Sequence, residues 1–112
     1  MLGLLMGNAA MSLKKQYLKS KPVCKVTFRI PKDTVSDAHN VCIVGDFNNW
    51  STNNTPMKNL KNGDFTATLE LRPGQEYQFR YLIDNRRWEN DREADKYIFN
   101  NYANCENSVV IV

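Results

Sequence analysis

Apolar and polar side chains alternate with a period of two along most of this chain, and that period commits it to strands rather than helices. Val26, Phe28 and Ile30 alternate with Lys25, Thr27 and Arg29 until Pro31 closes the run. Phe65, Ala67, Leu69 and Leu71 alternate with Thr66, Thr68, Glu70 and Arg72, and Pro73-Gly74 then supplies a turn. Tyr77, Phe79, Tyr81 and Ile83 share one face of the next run, with Gln78, Arg80, Leu82 and Asp84 on the other. Val41–Val44 and Val109–Val112 are short apolar runs with little polar relief. Asn62-Gly63, between Met57–Leu60 and the Phe65 run, is a hairpin signal. Short strands separated by turn signals predict an all-β chain folded as an antiparallel β-sandwich. After Pro22 no stretch has the spacing of an amphipathic helix. Before it, Leu13, Tyr17 and Leu18 are predicted to form one helical turn or nothing.

A chain of 112 residues suffices for one two-layer core and is far too short for a (β/α)₈ barrel, which takes about 250 residues. Residues 1–22 read as an N-terminal extension expected to be largely disordered, and residues 23–112 as a single domain. Met1–Ala10 is apolar but too short to span a bilayer and lacks the basic start of a secretory signal, and Met11 is a second plausible start. The expectation is a cytoplasmic protein with no membrane partner, in which the two glycosylation sequons, Asn49-Trp50-Ser51 and Asn53-Asn54-Thr55, are chance matches. The formal net charge of +3 resides largely in Lys14, Lys15, Lys19, Lys21 and Lys25, so the body is nearly balanced and no nucleic-acid partner is expected.

Cys24, Cys42 and Cys105 have no C-x-x-C spacing, and His39 is the sole histidine, so no metal site is expected. Free thiols in a reducing cytosol are the simplest reading, with Cys24 sharing the core parity of Val26. The polar segment from Asn85 to Asn107 is long for a loop and carries Trp88, Tyr97, Phe99 and Tyr102, so parts of it must pack. It also crowds Glu89, Asp91, Glu93 and Asp95 together, next to Asp84. These acids alternate with Arg86, Arg87, Arg92 and Lys96, which reads as a charge-compensated loop rather than a catalytic carboxylate pair. Asp91–Lys96 lacks the glycine a calcium loop needs at its sixth position. No nucleophile has a visible base, so no catalytic residue is assigned and no enzyme activity is expected.

Two tryptophans remain. Trp50 ends Gly45-Asp46-Phe47-Asn48-Asn49-Trp50, among polar residues; Trp88 follows Asp84-Asn85-Arg86-Arg87. From residue type alone, each is either a core plug or an exposed flat platform. A sugar ring offers an apolar face of C–H groups and a rim of hydroxyls, so its recognition needs aromatic faces together with forked donors and amides. Trp50, Trp88, Arg80 and the neighbouring asparagines provide both chemistries.

Val44–Trp50, Phe79–Asp84, Trp88 with Asn90-Asp91, and Asn107–Val110, in that order, resemble a carbohydrate-binding module of family 48 over Val23–Val112. The same domain is called the isoamylase N-terminal or early-set domain, and the glycogen-binding domain of AMP-activated protein kinase β subunits. The resemblance implies an immunoglobulin-like β-sandwich of the early-set type that binds α-1,4-linked glucans such as glycogen and starch, without cofactor or catalysis. It implies stacking platforms at Trp50 and Trp88, a basic contact at Arg80 where the kinase-associated members have lysine, and a hydrogen-bonding amide at Asn107. Phe47 is expected in the core, and Gly45 in a backbone conformation that a side chain would obstruct. The chain departs from the kinase-subunit pattern at Asn85, at the longer Arg86-Arg87 turn, and at Ala103-Asn104-Cys105, which replaces a Leu-Gly-Thr segment facing the glucan. The alternative is an accessory or protein-interaction domain related to the N-terminal domain of glycoside hydrolase family 13 enzymes of the branching or debranching type, with a separate glucan-active enzyme as partner.

Overall fold

The period-two runs form the strands they predict, and their apolar parity meets in one core between two sheets. The computed structural model describes residues 12–112, so the expectation for residues 1–10 lies outside the described residues. The strands are β1 (Leu13–Tyr17), β2 (Cys24–Ile30), β3 (Val41–Gly45), β4 (Lys58–Asn59), β5 (Phe65–Leu71), β6 (Glu76–Ile83), β7 (Arg87–Glu89), β8 (Lys96–Asn100) and β9 (Cys105–Ile111). One sheet runs β1-β2-β5-β4. The other runs β3-β6-β9-β8, with β7 pairing β6 beyond the end of β9. All of the pairings are antiparallel. Among the described residues no helix is long and apolar enough to cross a membrane.

Alternation decides which side chains meet. On β2, Cys24, Val26, Phe28 and Ile30 are buried while Lys25 and Arg29 are exposed. On β6, Phe79, Tyr81 and Ile83 face the same core, and the Phe79 ring meets Phe28 of the opposite sheet edge-on at 5.0 Å between centroids. Phe47 packs on this cluster as expected, 5.6 Å from Phe28 and 6.3 Å from Phe79. The Pro73-Gly74 turn is closed by Tyr77, whose hydroxyl donates to the Arg72 carbonyl and accepts from the Arg72 N–H.

Two segments differ from the sequence reading. Leu13, Tyr17 and Leu18 form neither a helical turn nor an unstructured tail: Leu13–Tyr17 is an edge strand paired to β2, with Leu13 opposite Phe28 and in the core. The pattern hid it because Lys14, Lys15 and Gln16 are polar and only one face of an edge strand needs an apolar residue. The Asn85–Asn107 segment contributes β7 and β8.

Gly45 ends β3 with φ −172°, extended backbone open to any residue, so its glycine answers to space. A Cβ there would lie 2.5 Å from the Gln78 carbonyl oxygen and 2.7 Å from Phe79 Cβ. Gly45→Ala is therefore expected to force β3 and β6 apart and to cost about 1–3 kcal/mol, the usual range for overpacking. Urea denaturation measures this, and a loss below about 0.5 kcal/mol would contradict it.

Candidate functional site

Where β3 ends, the chain is turned outward by a single 3₁₀ turn, Asp46–Asn48. Asn48 holds that turn from inside: its carboxamide oxygen accepts from Gly45 N–H, and its NH₂ donates to the Ile43 carbonyl and Thr55 hydroxyl, each at 3.0 Å. Asn49 and Trp50 then both adopt the left-handed conformation, φ 56° and 57°. For non-glycine residues this costs on the order of 1–3 kcal/mol each, so surrounding contacts must enforce it. Trp50 N–H bonds to the Gly45 carbonyl at 2.9 Å, and its indole Nε1–H donates to Asp46 Oδ1 at 2.8 Å. The other oxygen, Asp46 Oδ2, accepts from the backbone N–H of Gln78 on β6 at 2.8 Å. The Trp50 ring is half-buried, outside the core cluster that takes Phe47.

Arg80 lies two residues along β6 from that anchor, on the outer face with Gln78 and Leu82. Its guanidinium carbon sits 5.4 Å from the centre of the Trp88 ring, a cation–π distance. One terminal nitrogen donates to Cys105 Sγ at 3.4 Å, while Nε is buried with no hydrogen-bond partner among the described residues. Trp88 stands opposite Leu82 on the β6–β7 hairpin and is 38% exposed. The turn beneath it places Asp84 and Asn85 at φ 52° and 61°, with Arg86 N–H closing on the Ile83 carbonyl. Asp84 fastens this turn to the neighbouring loop, since its Oδ1 accepts from both His39 and Asn40 N–H. Asn107, on β9, is 3% exposed and donates to Gln78 Oε1 at 3.0 Å.

Trp50, Arg80, Trp88 and Asn107 thus line one open cleft of about 400 Å³. Asn100 of β8, Ala103 of the following turn and Cys105 at the start of β9 complete it. A larger depression, about 520 Å³, lies beside Asp84 between Ser36, Asp37, Arg86 and Arg87, and among the described residues no aromatic side chain lines it. The family model for the glycogen recognition site of AMP-activated protein kinase matches residues 26–112. The chain belongs to that family. No curated protein matches it.

Around the cleft of this glycogen-recognition domain, Glu89, Asp91 and Asp95 of the Asn85–Asn107 segment have structural partners. Asp91 is buried and accepts the Tyr81 hydroxyl at 2.6 Å; burial first, then the Asp91 charge, pushes that phenol well above its ordinary range. Asp91 N–H donates to Ser108 Oγ, and Asn90 Oδ1 accepts from both the N–H and the hydroxyl of Ser108. Glu89 pairs with Arg87 and Asp95 with Lys15. Among the described residues no group of three or more His, Cys, Asp or Glu gathers as metal ligands. The three cysteines are free: Cys24 is buried, and burial also raises the pKa of the half-buried Cys42 thiol.

Asn100 and Asp46 escaped the sequence reading. Ile98 stands opposite Asn107 across the hairpin, so the even positions of β8 share its face, and that register could have indicated Asn100. No local signal identifies Asp46, whose partner Gln78 lies 32 positions away.

Two outcomes follow from this geometry. Asp46→Ala removes the acceptor of two N–H groups and is expected to cost about 1–3 kcal/mol while loosening Trp50, read by denaturation and by near-ultraviolet circular dichroism. Unchanged aromatic dichroism would contradict the anchoring role. Asp84 is held below the usual carboxylate range by the N–H of Asn40, then that of His39. Its stabilising effect is therefore complete above the unfolded value of about 4 and fades as pH falls through the lower folded value. The stability gap between wild type and Asp84→Asn should stay constant from pH 8 to about pH 5 and close at lower pH. A gap that widens on acidification would contradict this assignment.

Proposed function

We propose that the cleft binds α-1,4-linked glucan, with Trp50 and Trp88 stacking on glucose rings and Arg80 and Asn107 hydrogen-bonding their hydroxyls. The observation that carries this reading is the convergence of these four side chains, from a loop and three strands, on one open cleft. Membership of a glycogen-recognition family supports the ligand class. The chemistry supports the division of roles. Trp50 has its indole N–H already committed to Asp46, which leaves it a face rather than a donor. Arg80 holds one terminal nitrogen on Cys105 Sγ and presents the other as a donor, and Asn107, with its NH₂ bonded to Gln78, keeps its carbonyl oxygen as an acceptor.

Magnitudes fix the kind of binding. An indole burying about 60–100 Å² of apolar surface against a sugar contributes roughly 2 kcal/mol. Two such faces and a few net hydrogen bonds, set against several kcal/mol of association cost, give a Kd of about 10 μM to 1 mM. A non-catalytic module this weak acts by tethering a separate glucan-active enzyme or a larger assembly to a polymer, where repeated sites raise avidity. Ala103 and Cys105 offer only a methyl and a thiol at the rim, so the contact there is slight.

Co-sedimentation with glycogen and calorimetry with maltoheptaose test the proposal. Trp50→Ala and Trp88→Ala should each weaken binding at least about tenfold, the loss of one stacking face. Wild-type protein that stays in the supernatant and gives no heat with maltoheptaose would overturn it.

A further inference from the structure

The sheet that carries the cleft ends at β8, and no strand lies beyond it among the described residues. Its other edge is closed: Ile43 N–H bonds to the Thr55 carbonyl, Met57 N–H bonds to the Val41 carbonyl, and Cys42 bridges Pro56 along β3. Among the described residues β8 has no such cover, and Tyr97, Ile98 and Phe99 are 40%, 36% and 54% exposed. Natural edges are usually blunted by proline, bulges or charge. Lys96–Asn100 contains no proline, and its one charge, Lys96, is at the end of the strand and pairs with Glu76 at 2.8 Å.

The free backbone groups can be named. On β9 the even positions turn toward β6 and β7: Ser108 N–H meets Asn90 Oδ1, the Glu106 carbonyl accepts from Asn90, and Val112 N–H meets the Gln75 carbonyl. Odd positions turn toward β8, as when Ile111 N–H meets Asp95 Oδ2. Tyr97 stands opposite Ser108 and Phe99 opposite Glu106, so Tyr97 and Phe99 aim their own N–H and C=O groups out of the sheet.

We infer that β8 is a docking edge for a second copy of this chain, paired antiparallel about a two-fold axis at Ile98. The strand is self-complementary in that register. Tyr97 falls opposite Phe99 of the second copy, and the reverse, so each aromatic pair exchanges two backbone hydrogen bonds through the groups that point outward. Ile98 meets Ile98 on the axis, and Lys96 meets the neutral Asn100, so no like charges oppose. The edge is also stiff: the Tyr97 hydroxyl is bonded to the Asp91 carbonyl, and Asn100 Oδ1 caps the following turn through the N–H groups of Tyr102 and Ala103. A five-residue edge buries less than the roughly 1,200 Å² of a stable interface, so the dimer is weak, with a Kd on the order of 100 μM.

Pairing edge to edge keeps side-chain parity, so Arg80 and Asn107 of both copies lie on one face of the joined sheet. On the glucan reading, on which this consequence rests, the dimer brings two clefts to one polymer. Sedimentation velocity of the full chain from about 10 μM to 1 mM tests the pairing. The sedimentation coefficient should rise from that of the 13.0 kDa monomer toward that of twice its mass, with slower amide exchange at Tyr97 and Phe99. Phe99→Pro removes an outward N–H and leaves the β9 ladder intact, and Ile98→Lys sets two cations on the axis; each should weaken association at least about tenfold. A monomer at every concentration, or a dimer that persists in both variants, overturns the inference. Phe99→Pro should weaken binding to glycogen but not to maltoheptaose, and equal glycogen binding overturns the bivalent consequence. Should wild type fail to bind maltoheptaose, the cleft reading falls while the pairing stands on sedimentation.

Discussion

One carboxylate sets the geometry of the cleft. Asp46 holds the Trp50 indole N–H with one oxygen and the Gln78 backbone N–H with the other, both at 2.8 Å. It thereby ties a loop that must run through two left-handed residues to the strand that carries Arg80, two positions on. Charge-assisted bonds are stronger than neutral ones and supply the over-determination that such backbone needs. The arrangement works only if β3 and β6 stay close, and Gly45, with the Gln78 carbonyl where its Cβ would be, keeps them so. Space, charge and strain meet within six residues of sequence.

A second brace works from the opposite side. Tyr81, Asp91, Ser108 and Asn90 form a buried or half-buried polar cluster that stitches the segment after β7 to β9. Each hydroxyl or carboxylate in it has a partner, which is the condition for a polar group to sit in a core without penalty. Trp88 and Asn107 flank that cluster on neighbouring strands, so it fixes their separation. The period of β6 then divides the labour: Phe79, Tyr81 and Ile83 face the core, while Gln78, Arg80 and Leu82 take the outer face, where Arg80 lines the cleft. Val44, Leu82 and Val109 are buried although they belong to the outer face, and they give the cleft side of the sheet an apolar floor.

Most of the sandwich is legible in the chain because β2, β5 and β6 each carry their own alternation, a local signal. The strands that escape it are those whose burial is not local. β1 has one core residue, Leu13, and β8 is exposed on both faces, so neither alternates. Trp50, Arg80, Trp88 and Asn107 could be named through the order of motifs, and the fold brings all four to one wall. Their supports could not be named. Asp46 reaches Gln78, Arg80 reaches Cys105 across 25 positions, and Asp84 reaches His39 across 45, contacts that only the folded sheet creates. The longer Asp84–Arg87 turn shows the same limit. The sequence marks it as unusual, but the Asn40 and His39 N–H groups that set its position belong to a distant loop.

Arg80 is where stability and recognition pull in different directions. Its guanidinium is partly buried against Trp88 and Cys105, yet one contact is to an aromatic face, one is to a weak sulfur acceptor, and the buried Nε has none among the described residues. A buried donor without a partner costs about 1–3 kcal/mol, so the fold carries this residue at a loss. A lysine would avoid that loss, because a flexible ammonium can turn its three donors to water. Arginine instead sits over the Trp88 ring at 5.4 Å, a contact that restricts the guanidinium before a hydroxyl arrives. On the glucan reading, the terminal nitrogens of Arg80 meet the sugar rim, and the buried, unpaired Nε is the cost of holding them there.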